Sequence, residues 1–398
     1  GEKYPDKGLA GGGVAFKLAQ ALIRTKLQND PMADAKFWEG FEKWMLDMVA
    51  ISTVADMMPL LGENRTLVKY GLVVMNKGRR LGLKHILKVA GLWPTGTKEA
   101  RLNAYDIGFK IAPRINAAGR MSHANVAYKL LMATDEKEAE KLALELNQNN
   151  RERQEATERI IKEAMAQVGE IDPKEPRVIS AFKHDWPIGV AGLVAGKLTE
   201  KYNRPAIIMG LMGDKIVGSV RSIPAFNFVN AFLEVKDLLS RFGGHPMAAG
   251  FTLARNEDMG LLVERLNVIA KRELRGKDLT PELEIDKEIK LSRVDWPLVE
   301  DILKFEPFGK ENPTPKFITS GVKIVAMEAM GAEGKHLRLL ITDDSGIFRK
   351  AIGFSFGLWC ERLKIGDRVD IVYEVEVNEW NGKRELQLKI IDLRLCQN

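Results

Sequence analysis

The apolar positions change period along the chain. Over residues 1–130 they recur at helical spacing. Val14–Leu27, Phe37–Val54, Arg65–Lys77 and Arg79–Ala90 read as amphipathic helices, the second ending near Asp56. The glycine run Gly8–Gly13 reads as a loop into the first of them, or as a helix start offering N–H groups to an anion. Thr134, followed by Asp135 and Glu136, predicts an N-cap with an acidic first turn. Ala139, Leu142, Ala143, Leu146, Ala156, Ile160, Ile161, Ala164 and Val168 then predict one helix of roughly 50 Å. Its middle, Asn147–Glu155, is entirely polar, the pattern of a helix that bridges two bodies before Asp172-Pro173 ends it.

Beyond this helix the pattern alternates. Arg177–Phe182, Pro205–Met209 and Lys215–Val220 read as strands, with Gly189–Tyr202 and Phe226–Leu239 as helices, which is α/β patterning. From Glu282 onward strands dominate: Lys316–Ala326, His336–Thr342, Phe348–Phe354, Arg368–Val377 and Glu385–Leu395, with a tight hairpin at Asn381-Gly382. That run predicts a small barrel such as an OB-fold.

The length of 398 residues predicts two to three domains at about 150 residues each. A hydrophobic fraction of 45% and a charged fraction of 29% describe a folded chain rather than a disordered one. No apolar run approaches the ~18 residues of a membrane span. Cys360 and Cys396 are the only cysteines, which excludes a disulfide framework and a Cys-rich zinc site and fits a reducing cytoplasm. No signal peptide opens the chain. The net charge of +6 is unevenly spread: Lys77–Arg120 holds ten Lys/Arg against Glu99 and Asp106. Such a block suits a polyanion surface or a solvated helical face.

Several segments carry candidate chemistry. In Gly243-Gly244-His245-Pro246-Met247-Ala248-Ala249-Gly250, glycines permit close approach and His245 can donate to a phosphate or move a proton. Just upstream, Gly218-Ser219-Val220-Arg221-Ser222 places hydroxyls and a guanidinium at a strand end. Alone, the first reads rather as a glycine turn that the histidine caps; together the two favour a phosphate site. Ile111–Arg120 sets Arg114, Asn116 and Arg120 among small residues, as backbone-phosphate contacts or as a helix start with exposed arginines. Asp56, between an apolar run and Pro59, reads as a metal ligand or a loop cap. Tyr373, Trp380, Lys383 and Arg384 suit single-stranded nucleic acid, and equally suit core and surface roles.

In this order the motifs resemble the RecJ single-strand-specific exonucleases of the DHH phosphoesterase superfamily, over essentially the whole chain. Tyr4–Gly11 with Gly13–Lys17 looks like a late DHH-domain segment. Val54-Ala55-Asp56 is similar to the fourth motif, and Pro113–Met121 to the RINAAGR motif. Trp186 with Gly189–Gly196 resembles the start of a DHHA1 domain, and Gly243–Gly250 its signature. Phe305–Phe317 and Asn378–Leu388 are similar to the family's linker and OB-fold. Pro187 stands where the family has His, and Glu311 where its linker has a second glycine. The Asp-rich and Asp-His-His motifs are absent and would precede Gly1, which is not Met, so a C-terminal two-thirds of such a protein is expected.

The resemblance implies an α/β fold class: part of a mostly helical DHH domain over 1–133, a connecting helix over 134–172, a DHHA1 domain over 173–275, and linker plus all-β OB-fold over 276–398. It implies 5′→3′ hydrolysis of single-stranded DNA to mononucleotides, in repair and recombination, with two divalent metals, Mn²⁺ or Mg²⁺. Asp56 would ligate metal and Asp56 and His245 would be catalytic. Arg114, Asn116, Arg120, Ser219, Arg221, Ser222, Gly243, Gly244 and His245 would bind substrate. Tyr373, Trp380, Lys383 and Arg384 would contact the strand. Single-stranded DNA is the expected partner, with single-strand-binding protein and a helicase as further candidates; a cytoplasmic monomer without membrane contact is expected. This chain alone is expected to bind strands weakly and hydrolyse little. The rivals are a non-catalytic strand binder and a DHH phosphodiesterase of short oligonucleotides; the barrel and long helix weigh against the latter.

Overall fold

A computed structural model describes residues 4–94, 101–121, 124–172, 175–380 and 383–396. The expected hairpin at Asn381-Gly382 and the helix stop at Pro173 lie outside the described residues. The described residues fall into two compact units: those within 1–77, 99–109 and 283–398, and those within 78–98 and 110–282.

The first unit opens with helices α1 (Gly11–Asn29), α2 (Ala35–Trp44), α3 (Leu46–Ala55) and α4 (Gly62–Asn76). The last three glycines of the Gly8–Gly13 run are helical, and the Gly12 N–H is already given to Ser52 Oγ at 3.2 Å. The single helix expected over Phe37–Val54 is two, because the Met45 N–H tightens back onto Glu42. The break separates α2, which buries nothing, from α3, which buries Asp47, Val49, Ala50, Ile51 and Thr53. A short α6 (Ala104–Asp106), held by an Asn103–Asp106 capping box, leads into a π-helical turn at Ile107–Ile111 that sequence periodicity did not reveal.

The same unit ends in the expected barrel. Strands β7 (Phe317–Met330), β8 (His336–Thr342), β9 (Phe348–Gly353), β11 (Lys383–Leu395) and β10 (Arg368–Trp380) neighbour one another in that order, and β10 pairs back onto β7 to close the sheet. Two-residue β6 (Lys287–Glu288) adds to β7, and α13 (Trp296–Leu303) precedes the barrel. Alternation sends Val322, Ile324, Leu337, Leu339, Ile341, Val369, Ile371 and Leu388 inward. The linker is tied to the helices: the Arg65 guanidinium donates to the carbonyls of Lys304, Phe305 and Glu306, and the Leu60 N–H to the Lys310 carbonyl at 2.8 Å.

The second unit joins α5 (Leu81–Val89), α7 (Ala112–Met121), α8 (Asn125–Met132) and the long α9 (Glu136–Val168) to a five-stranded sheet. The cap of α9 is Asp135, whose carboxylate accepts the Glu138 N–H, and not Thr134. The polar middle of α9 is not a bare solvent span. Asn147 and Asn150 are buried where α7 packs on it.

In the sheet, β1 (Ile179–Phe182) runs parallel to β2 (Ala206–Met212) through the crossover helix α10 (Ile188–Tyr202). Next come β3 (Lys215–Arg221), β5 (Ala248–Leu253) and β4 (Leu239–His245), all antiparallel. β2 is apolar over Ala206–Met209 because both its faces are covered. Ile160, Ala164, Val190 and Val194 of α9 and α10 cover one face. Phe228, Phe232, Leu262 and Leu266 of α11 (Phe228–Glu234) and α12 (Met259–Glu273) cover the other. The helix expected over Phe226–Leu239 stops at Glu234, and the chain from Leu239 becomes an edge strand.

Candidate phosphate site and strand-binding groove

The register of the sheet builds the phosphate candidate. Ser219 and Arg221 share one face of β3 while Val220 turns into the core, as the two-residue period requires. Arg221 lies opposite Ala248, and Ala248 opposite His245, so these three form one row across three strands. His245 thus stands two strand spacings, about 10 Å, from Arg221. It is exposed. Gly244 has φ +142°, and a Cβ there would meet the Ala248 carbonyl oxygen at 2.5 Å, so only glycine permits this hairpin. Gly243 is exposed in the same strand, with open space where a side chain would stand.

Helix α10 completes the site. A Cβ on Gly192 would lie 2.8 Å from Arg221 Nη2 and 3.0 Å from Ser219 Oγ, so the guanidinium rests against bare helix backbone. Arg221 Nη1 donates to its neighbour's carbonyl, Val220 O, at 2.8 Å. From α7, Arg120 Nη1 donates to the Gly189 carbonyl at 2.9 Å, which fastens the RINAAGR-like helix to the start of α10. Burial, and then the nearby positive charge of Arg120, hold the Arg221 guanidinium below its ordinary pKa.

Two expected substrate contacts have other work. Ser222 is buried and its hydroxyl donates to the Phe226 carbonyl at 2.6 Å, so, contrary to expectation, it caps the chain after β3 and does not face the site. Arg114 is half-buried; its Nε donates to Asn147 Oδ1 at 3.0 Å and its Nη1 to the Lys110 carbonyl at 2.6 Å. Asn116 is exposed on α7.

Asp56 sits in the first unit at the C-terminal end of α3, exposed, with its N–H bonded to Ser52 O. Manganese and magnesium take about six oxygen ligands. Asp56 offers one carboxylate, and no group of three His, Cys, Asp or Glu that could hold a metal forms among the described residues. The described residues therefore offer one metal ligand, Asp56, and not a complete metal centre.

The barrel's nucleic-acid candidates also change. Tyr373 is fully buried, its hydroxyl 2.9 Å from Thr319 Oγ1, and burial pushes its pKa up to about 12. It is a core residue and not a stacking platform, because its inward strand position leaves no ring face to solvent. The side chain of Trp380 lies outside the described residues. Lys383 is exposed, and Arg384 lies over the Trp296 ring at 5.1 Å. Trp296, Leu340, Phe348, Lys350, Arg384 and Glu385 border a groove of about 400 Å³. Exposed rings with cations beside them are the chemistry of a base-stacking surface. Sequence reading missed Trp296 and Phe348; the available signal was an aromatic on an outward strand position, at Phe348.

A crossover sheet with a glycine-backed arginine, followed in the chain by a closed five-stranded barrel, defines an α/β domain and an OB-like β-barrel domain. The family models agree: residues 175–272 match the DHHA1 domain and 285–392 the RecJ OB domain. The single-stranded-DNA-specific exonuclease RecJ of Bacillus subtilis is 37% identical over 396 residues, covering 99% of this chain and 48% of that protein. The RecJ exonuclease of Haemophilus influenzae is 30% identical, covering 97% of this chain and 68% of that one. A crystal structure of RecJ in complex with Mg²⁺ from Thermus thermophilus aligns with TM-score 0.80 at 28% identity, over 100% of this chain and 57% of that one. Its counterpart in complex with Mn²⁺ aligns with TM-score 0.76 at 28% identity, over 89% and 50%. The chain belongs to the RecJ family of single-stranded-DNA-specific exonucleases. It spans about half the length of its Bacillus subtilis relative. Among the described residues, no helix is long and apolar enough to cross a membrane.

Proposed function

We propose that this chain is the strand-holding part of a 5′→3′ single-stranded-DNA exonuclease acting in DNA repair and recombination. The observation that carries the reading is the Ser219–Arg221 row against Gly192, with Arg120 beside it. A guanidinium on bare backbone, facing a hydroxyl and a second guanidinium, suits the doubly charged phosphate at a strand's 5′ end. His245, in the cross-strand row with Ala248 and Arg221, would donate to that phosphate or to the leaving oxygen. Divalent metals would draw the single carboxylate of Asp56 from this chain, and their further ligands would lie outside the described residues. The Trp296–Phe348–Arg384 groove would stack bases of the incoming strand. Single-strand-binding protein and a helicase would be its working partners.

The test is binding of 5′-phosphorylated and 5′-hydroxyl single strands of equal length. The reading expects preference for the phosphorylated strand, lost in Arg221→Ala. Equal affinities in the wild-type chain would overturn it.

A further inference from the structure

The arginines of the second unit do not stop at the proposed terminal-phosphate site. Arg153, on the polar middle of α9, is half-buried, and its enclosed Nε–H has no hydrogen-bond partner among the described residues. Asn150, one turn earlier, is buried on the same face. Asn147, a further turn back, takes the Arg114 Nε–H. This face of α9 packs on α7, the helix that carries Arg114 and Arg120. A half-buried guanidinium set among other arginines suits an anionic group from outside the protein at the part of the side chain that stays exposed.

The charges are also ordered. Arg114 feels Arg151 and Arg153; Arg153 feels Arg120; Arg221 feels Arg120. Burial is the larger cause of the lowered pKa in all three, and the like charge adds to it. Arg120 therefore links the Arg221 end to the Arg153 end. No carboxylate salt bridge neutralises Arg114, Arg120, Arg153 or Arg221 among the described residues. A line of positive groups of this kind follows a polyanion rather than a single anion.

We propose that Arg153 contacts the second phosphate of the bound strand, the internucleotide phosphate next to the one seated by Arg221. This rests on the terminal-phosphate reading and extends it: the site takes at least a 5′-phosphorylated dinucleotide, with Arg120 between the two phosphates. Arg153 is a binding residue that the apolar pattern of α9 hides, because a polar stretch reads as solvated surface.

The test measures binding of thymidine 5′-monophosphate, the 5′-phosphorylated dithymidine dinucleotide and a 5′-phosphorylated oligothymidine by this chain. The variants are Arg153→Ala, Arg153→Gln and Arg221→Ala, with circular dichroism melts alongside. Arg153→Ala should weaken the dinucleotide and the longer strand by on the order of ten-fold and leave the mononucleotide unchanged. It should also lower the salt slope for the long strand by about 0.7. Arg153→Gln, which keeps the stem, should show the same selectivity and is the variant read if the alanine form melts early. Equal weakening of mononucleotide and dinucleotide, or of neither, overturns the proposal. Failure of Arg221→Ala to weaken the mononucleotide overturns instead the terminal-phosphate reading, which the Arg153 comparison does not touch.

Discussion

Gly192 on α10 and Arg221 on β3 lie so close that a methyl group on the first would stand 2.8 Å from Nη2 of the second. The helix gives up a side chain so that the guanidinium can lie against it. Gly192→Ala is therefore expected to push Arg221 out of the Ser219 row, since alanine itself is favoured in a helix. Binding of 5′-phosphorylated strands should fall several-fold while the circular dichroism spectrum is unchanged. Unaltered binding would show that Arg221 need not lie where it does.

Arg221→Ala removes the charged donor altogether. A hydrogen bond to a charged group contributes about 1.5–3 kcal/mol, which corresponds to roughly ten- to a hundredfold in affinity. Affinity for 5′-phosphorylated strands should fall by that order, with Arg221→Lys intermediate because a point charge cannot replace the fork. Unchanged affinity would take Arg221 out of the site.

Tyr373→Phe separates core from interface. The hydroxyl meets Thr319 Oγ1 inside the barrel, and Thr319 also donates to the Ile289 carbonyl at 2.7 Å. Loss of the hydroxyl should cost about 1 kcal/mol of stability in denaturant titration. Single-strand affinity should stay at the wild-type value; a selective loss of affinity would return Tyr373 to the binding surface.

Trp296→Ala and Phe348→Ala should do the reverse. Each removes an exposed ring at the groove, and base stacking contributes about 1–3 kcal/mol per base. Affinity for a single strand, followed by fluorescence anisotropy, should drop with little change in melting temperature. Loss of neither would move strand contact elsewhere on the barrel.

Asp370 supplies a pH dependence. Burial raises its pKa, but the Gly321 N–H, the Arg394 guanidinium and the Cys396 thiol outweigh that and hold the carboxyl below its ordinary 3.8. A carboxyl depressed on folding contributes stability above the unfolded-state pKa and loses it as pH falls through the folded one. Its share of barrel stability should thus be constant at neutral pH and disappear only below about pH 4. Asp370→Asn should flatten that acid limb; an unchanged acid titration would show that the carboxylate is not coupled to folding.

Periodicity alone determined much of this protein. The 3.6-residue and two-residue repeats located α4, α5, α9, β2 and β8 because each buries one continuous stripe or face, which the sequence must encode directly. The ordered motifs carried the family as well, since glycines at 243, 244 and 250 and the small residues around Arg114–Arg120 leave few other uses. Tertiary structure decided what the side chains do. Tyr373 and Phe348 are both aromatics on strands, and only barrel closure sends one inward and the other to the groove. Ser222 and Ser219 look alike in one motif, yet the chain's turn after β3 commits one hydroxyl to the Phe226 carbonyl. Arg153 stands in a polar stretch that reads as solvated, yet its side chain is half-buried with Nε enclosed. A repeat period reports which face is buried; it does not report which neighbour covers it, and hydrogen bonds and charge clusters are made with neighbours.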